Sequence, residues 1–254
     1  MRDPFVAGPV SRARLAVALT LVLSAACGDA QRGTGDAGSE QPVRGGTLVI
    51  AGPGDLGGMN GFVANDAYTA DFLQNALFLP LVWLSDRNEY LPALAESWTW
   101  EGDTAVTFQL RRDVQWHDGI RTSAHDVVFT FDRARDPATA YPNMADLMSY
   151  RTATATDSFT VRFTLTPHLE PMLTMAFLAI MPRHALDSIP PDRMANAAFN
   201  HNPIGNGAFR FVEYHANDRW VFAANESYPE GLGGRPYIDR VIWRVIPENA
   251  AQVT

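Results

Sequence analysis

The chain contains no lysine: all 20 of its basic residues are arginine. Acidic residues number 28, the formal net charge is −8, and no basic patch follows the first 26 residues. That balance argues against a nucleic-acid partner. The one cysteine, Cys27, leaves no possibility of an internal disulfide, and a domain of this size does not need one, because its core is large enough. No G-x-S-x-G stretch is present to carry a hydrolase nucleophile. The longest apolar run, Leu15–Ala26 (LAVALTLVLSAA), has twelve residues. At about 1.5 Å per residue it reaches roughly 18 Å, well short of the roughly 30 Å hydrocarbon core of a bilayer. It is therefore a secretory signal in pattern, not a membrane span.

What is present begins with that signal. Arg2, Arg12 and Arg14 precede the apolar run, and LSAAC follows within it and ends at Cys27. LSAAC resembles a bacterial lipobox, which implies a lipidated Cys27 as the new N-terminus, although Ser24 stands where leucine is usual. The other reading is an ordinary cleavage site beside an incidental cysteine. Loss of residues 1–26 removes three arginines and one aspartate, and takes the net charge from −8 to −10. Residues 27–43 are rich in Gly, Asp, Ser and Gln, too polar to offset ordering entropy, and are expected to form a flexible tether.

Beyond the tether, 46% hydrophobic residues suffice for a real core. The glycine-bounded run TLVIA (47–51) predicts a buried strand, followed by the glycine-rich loop GPGDLGGMNG. Phe72, Leu73, Ala76 and Leu77 recur at helical spacing across residues 67–79, with Asp66 as N-cap and Pro80 as the stop. Val106, Phe108 and Leu110 alternate with polar residues, which predicts a half-buried strand. Residues 152–165 repeat that pattern through Phe159, Val161, Phe163 and Leu165. A helix is expected over about 124–134 and a buried helix within LEPMLTMAFLAIM, leading to an extended piece that ends at Pro182. A hairpin turning at Ala216, Asn217 and Asp218 and a last strand over 238–247 complete a mixed α/β class with no internal repeat.

The stretch LRRDVQWHDGIRTSAHDVVFTF (110–131) holds two histidines and three aspartates. His117 and His125 lie eight apart, with a glycine and a helix start between them, which is not metal-ligand spacing. A joint explains more of the residues. Asp118-Gly119 has turn chemistry, Ser123 and Asp126 fit a capping box, and Ala124, Val127, Val128, Phe131 and Ala134 form one helical stripe. No nucleophile, base and orienting group cluster in the sequence, so no catalytic residue, cofactor or metal is expected.

PALAESW (92–98), FQLRRDVQWHDG (108–119) and TSAHDVVFTF (122–131) resemble the signature region of the family 5 extracytoplasmic solute-binding proteins, the peptide and nickel receptors of ATP-binding-cassette importers. NPIGNGAFRF (202–211) and ANESYPEGLGGRPYIDRVIWRVIPE (224–248) resemble later motifs of the same family, in order. The resemblance implies the large three-domain, type II periplasmic-binding-protein fold. Residues 44–81 and 183–254 would be a partial first lobe, and residues 82–182 an inserted small α/β domain. Family members are about twice this length, so the chain is expected to be truncated, to lack the second lobe and to bind ligand poorly by itself.

The function implied is capture of a peptide or similar small solute outside the cytoplasmic membrane and delivery to the membrane permease. The location would be the cell envelope, on its periplasmic or extracellular face, through the lipid on Cys27. The alternative is a non-transporting lipoprotein with a structural or interaction role. In the family, the loop after the first strand lines the ligand crevice, which points to Asn60, Asn65, Asp66 and Ala67. Asn225 matches the N-x-x-Y asparagine near the lobe border. Tyr141 and Met175 lie in segments from which the inserted domain reaches bound peptide. Local readings compete: Met175 on an apolar run suits a core, and Asn65 or Asp66 suits a helix cap.

Overall fold

The computed structural model describes residues 42–167 and 171–247. The signal segment, Cys27, nearly all of the tether and the last seven residues lie outside the described residues. Ten strands and four α-helices, several of them short, follow one another irregularly among these residues. They are β1 (Thr47–Gly52), α1 (Ala67–Phe72), β2 (Val82–Leu84), β3 (Tyr90–Pro92), β4 (Ala95–Glu101), β5 (Ala105–Leu110) and α2 (Ala124–Arg135). After these come β6 (Tyr150–Asp157), β7 (Thr160–Leu165), α3 (Pro171–Phe177), α4 (Arg183–Leu186), β8 (Phe209–His215), β9 (Arg219–Ala224) and β10 (Arg240–Val245).

Two four-stranded sheets organise the chain. One runs β1-β10-β9-β8, with β1 parallel to β10 and the other pairs antiparallel. The other runs β4-β5-β7-β6, antiparallel throughout, and β2 pairs with β3 in a small separate hairpin. In the second sheet, Val106, Phe108 and Leu110 of β5 and Val161, Phe163 and Leu165 of β7 are buried, as their period of two requires. The phenyl rings of Phe108 and Phe163 meet edge to face at 5.9 Å. Helix α2 buries Ala124, Val127, Phe131 and Ala134 over this sheet, and Phe131 contacts Tyr150 and Phe163. Each such buried aromatic contributes roughly 1.5–3 kcal/mol relative to exposure.

The capping carboxylate of α2 does more than the sequence suggests. Asp126 Oδ2 accepts from the Ser123 amide (2.8 Å) and hydroxyl (3.1 Å), closing the helix start. Its Oδ1 accepts from the Arg183 amide at 2.9 Å, which ties α4 to α2.

Three separate sequence segments converge on Gly205–Gly207. The His117 amide donates to Gly205 O (2.8 Å), and the Gly207 carbonyl accepts from both His117 Nε2 (3.1 Å) and Asn225 Nδ2 (3.0 Å). The amides of Asn206 and Gly207 donate to Leu77 O, and Asn206 Oδ1 accepts from the Leu79 amide. A Cβ at either glycine would overlap Leu77, so only glycine lets the loop approach the helix end so closely. The 110–131 stretch is thus a joint, and His125 is exposed at the surface.

Four expectations need correction. β1 is not buried: it is an edge strand, with Leu48 and Val49 42% and 57% exposed. The helix after Asp66 keeps α geometry only to Phe72 and continues as a π turn over Leu73–Leu77, where Phe78 donates to Leu73 O. Residues 152–165 form two strands, because Asp157 accepts from the Phe159 amide (2.7 Å) and turns the chain. Helix α3 is only partly buried, since Leu173 and Phe177 project outward.

Candidate ligand-binding site

The loop after β1 is pinned on both sides. Asp55 accepts from Tyr214 Oη (2.7 Å), Trp220 Nε1 (2.7 Å) and the Asn217 amide (2.9 Å), which fixes the loop to the β8–β9 hairpin. Burial, then the Asp55 carboxylate, push the Tyr214 hydroxyl up to about 12. Tyr214 in turn stacks on Trp220 with ring centroids 4.0 Å apart. At the far end of the loop, Gly57 donates to Thr69 Oγ1 and Asp66 Oδ1 accepts from the Thr69 amide, both at 2.8 Å. Asp66 is therefore the N-cap of α1, as its position in the sequence predicts.

Within this frame the seven residues proposed for ligand contact separate into groups. Asn60 is fully buried, donating to Asn200 Oδ1 (2.9 Å) and accepting from the Phe62 amide (3.0 Å). Asn225 is buried, and its amide group is shared between Gly207 O and the Ser227 amide. Met175 is fully buried in the core. Asn65 and Ala67 are exposed at the start of α1, and Asp66 is half-buried there. Tyr141 is half-buried and lines a cavity of about 650 Å³, and none of the other six is among its walls.

That cavity lies between the 141–149 segment, α3 and Gln74. Gln74 Nε2 donates to Phe177 O (3.0 Å) and Thr174 Oγ1 donates to Asp146 O (3.2 Å), which ties its walls together. Leu173 and Phe177, four residues apart on α3, turn to the cavity and remain 39% and 50% exposed. Burial holds the Tyr141 hydroxyl above the usual phenol range; a hydrogen bond with Asn143 opposes this and the Asp146 charge adds to it. Of the residues lining this cavity, the sequence analysis singled out Tyr141 and not Asn143, Asp146, Leu173 or Phe177. The outward i, i+4 pair on α3 was the available signal, hidden in a run that is apolar throughout. Among the described residues, no group of three His, Cys, Asp or Glu could hold a metal ion, and no helix is long and apolar enough to cross a membrane.

Strand β1 pairs with β10 in one sheet, and the second four-stranded sheet is built from the chain between them, in a mixed α/β protein. The model for bacterial extracellular solute-binding proteins, family 5 Middle, matches residues 89–254, and the chain belongs to that family. A protein of Brucella ovis, named provisionally as an ABC transporter peptide-binding protein, is 37% identical over 69% of this chain and 33% of its own length. The oligopeptide-binding protein AppA of Bacillus subtilis is 28% identical over 92% of this chain and 44% of its own length. The structure of AppA in complex with a nonapeptide matches with a TM-score of 0.77, covering 83% of this chain and 42% of AppA. NikZ of Campylobacter jejuni in complex with Ni(L-His) matches with a TM-score of 0.71 at 25% identity, covering 81% and 40%. The chain spans less than half the length of each of these relatives.

Proposed function

We propose that this chain belongs to the substrate-binding component of an ABC importer that captures peptides outside the cytoplasmic membrane and delivers them to a permease. The observation that carries this reading is the match to AppA, whose structure holds a nonapeptide, over most of the described residues. The division into two sheets supports an arrangement in which residues 44–81 and 183–254 contribute to one lobe and residues 82–182 form an inserted domain. Capture needs no bond chemistry. A ligand that contacts two lobes shifts the population toward the closed form, and the closed form is what a permease recognises. The pinned loop after β1 and the exposed start of α1, with Asn65, Asp66 and Ala67, would offer polar groups from the first lobe, and Tyr141 would reach from the inserted domain. Asn60 and Asn225 would act indirectly, by holding those surfaces in place, and Met175 would support the wall from behind. The N-terminal signal and Cys27 would hold the protein at the membrane by lipid.

Disrupting the gene in its host and measuring uptake of labelled di-, tri- and oligopeptides, with nickel–histidine in parallel, tests the proposal. Loss of uptake for at least one peptide length supports it. Peptide uptake unchanged at every length overturns it, and loss confined to nickel–histidine replaces peptide with a metal chelate.

A further inference from the structure

We propose that the cavity bounded by Tyr141, Asn143, Asp146, Leu173, Phe177 and Gln74 is a specificity pocket for a side chain with an apolar stem and a cationic head, as in lysine or arginine. This rests on the peptide-receptor reading above and assigns a selectivity that membership of the family does not supply. About 650 Å³ falls inside the roughly 300–1,000 Å³ of small-molecule sites and has room for one long side chain with its water.

Charge decides the chemistry. Among the described residues, Asp146 is the only charged one on the walls, and no described arginine lines the cavity. Its carboxylate has no cationic partner among the described residues, whereas Glu101, Asp113, Glu213 and Asp239 each pair with an arginine. An acidic side chain entering here would meet a like charge with nothing to compensate it. A cationic one would find a charge-assisted acceptor.

The apolar walls decide the stem. Leu173 and Phe177 line the cavity, and both keep part of their hydrocarbon exposed. A (CH₂)₃ or (CH₂)₄ stem laid along them would bury that surface while the head stays hydrated near Asp146. The half-exposed face of Phe177 adds a cation–π surface on the way in. The Gln74–Phe177 and Thr174–Asp146 hydrogen bonds hold the two walls at fixed separation, so the pocket does not depend on ligand to form.

The test is competition in the native host against uptake of labelled trialanine, with the chromosomal gene wild type, Asp146→Asn or Asp146→Glu. Ala-Lys-Ala should compete about tenfold better than Ala-norleucine-Ala, which has nearly the same shape and no charge, and Ala-Glu-Ala should compete worst. Asp146→Asn should bring the lysine-to-norleucine ratio to within about twofold of one, and Asp146→Glu should restore the preference for lysine. A ratio near one in the wild type, a ratio unaltered by Asp146→Asn, or loss of competition by all three peptides in both variants overturns the pocket. In that case trialanine uptake that still depends on the gene leaves the receptor reading standing. Trialanine uptake that persists after gene deletion, together with that of every other peptide length, overturns the receptor reading and the pocket with it.

Discussion

Acid should destabilise this protein through His117 before its carboxylates titrate. Nε2 of His117 faces the Gly207 carbonyl, which only accepts, so the ring carries its proton on Nε2. Nδ1 is buried and finds no partner among the described residues, so a second proton would place a charge there uncompensated. Burial accordingly lowers the pKa of His117 from 6.5 to about 4; the Gly207 hydrogen bond opposes this, and the nearby Arg210 charge lowers it further. In the unfolded chain the imidazole titrates near 6.5. Above that pH neither state binds the proton and the stability is fully present. As pH falls below 6.5 the unfolded chain gains a proton that the folded one refuses, so stability declines by about 1.4 kcal/mol per pH unit until about pH 4. The full interval would give about 3 kcal/mol, and the exposed fringe of the residue lowers the expectation to about 2 kcal/mol at pH 4.5. Urea denaturation of wild type and His117→Gln from pH 7.5 to 4.5 isolates the effect, since glutamine retains a donor near Gly207 and does not titrate. The gap between the two proteins should close by about 2 kcal/mol, or reverse, on acidification. Parallel stability profiles would refute the buried neutral histidine.

Other outcomes follow from the same joint and from the termini. Asp126→Ala should lower stability by about 2–4 kcal/mol in chemical denaturation, because the Ser123 and Arg183 amides both lose their acceptor; a loss under about 1 kcal/mol would mean that water replaces it. Gly205→Ala should cost about 3 kcal/mol or prevent accumulation of folded protein, since its Cβ overlaps the Leu77 carbonyl; a normal melting temperature would contradict that packing. Cys27→Ala should release a membrane-associated protein into the soluble fraction and abolish labelling by palmitate, because stable attachment requires lipid chains; wild-type protein found soluble would remove the lipid anchor and leave only export.

Legibility in the sequence followed the range of the interaction. Helix α2 and the hairpin turn at Asn217 (φ +56°) are written in adjacent residues, and both are found where the pattern places them. Whether a strand lies at an edge is not local: TLVIA is apolar enough for a sheet interior, yet its neighbour β10 lies far away in the chain and no strand among the described residues pairs with its other side. The turn in 152–165 was masked because the alternation of β6 and β7 continues through it. For the candidate site, Asn60 and Asn225 were singled out by the family resemblance, as part of the loop after the first strand and as the N-x-x-Y asparagine, whereas their partners Asn200 and Gly207 are visible only in three dimensions. The walls contributed by Asp146 and Phe177 come from a short 3₁₀ segment and a seven-residue helix, neither long enough to show a period.

The pairing of β1 with β10 has a consequence for how the molecule assembles. Thr47 sits opposite Arg240, so the first strand to leave the ribosome is among the last to acquire a neighbour. Closing so long a loop carries a large entropic cost that helix α2 and the β8–β9 hairpin do not face, and topologies of this kind fold slowly. Until β10 arrives, Leu48, Val49 and Ile50 form an apolar, unpaired strand able to associate with another chain. A nascent form of this protein would therefore be vulnerable at strand β1, and a holdase that covers residues 47–52 until synthesis passes residue 245 would protect it at the step where misassembly competes best.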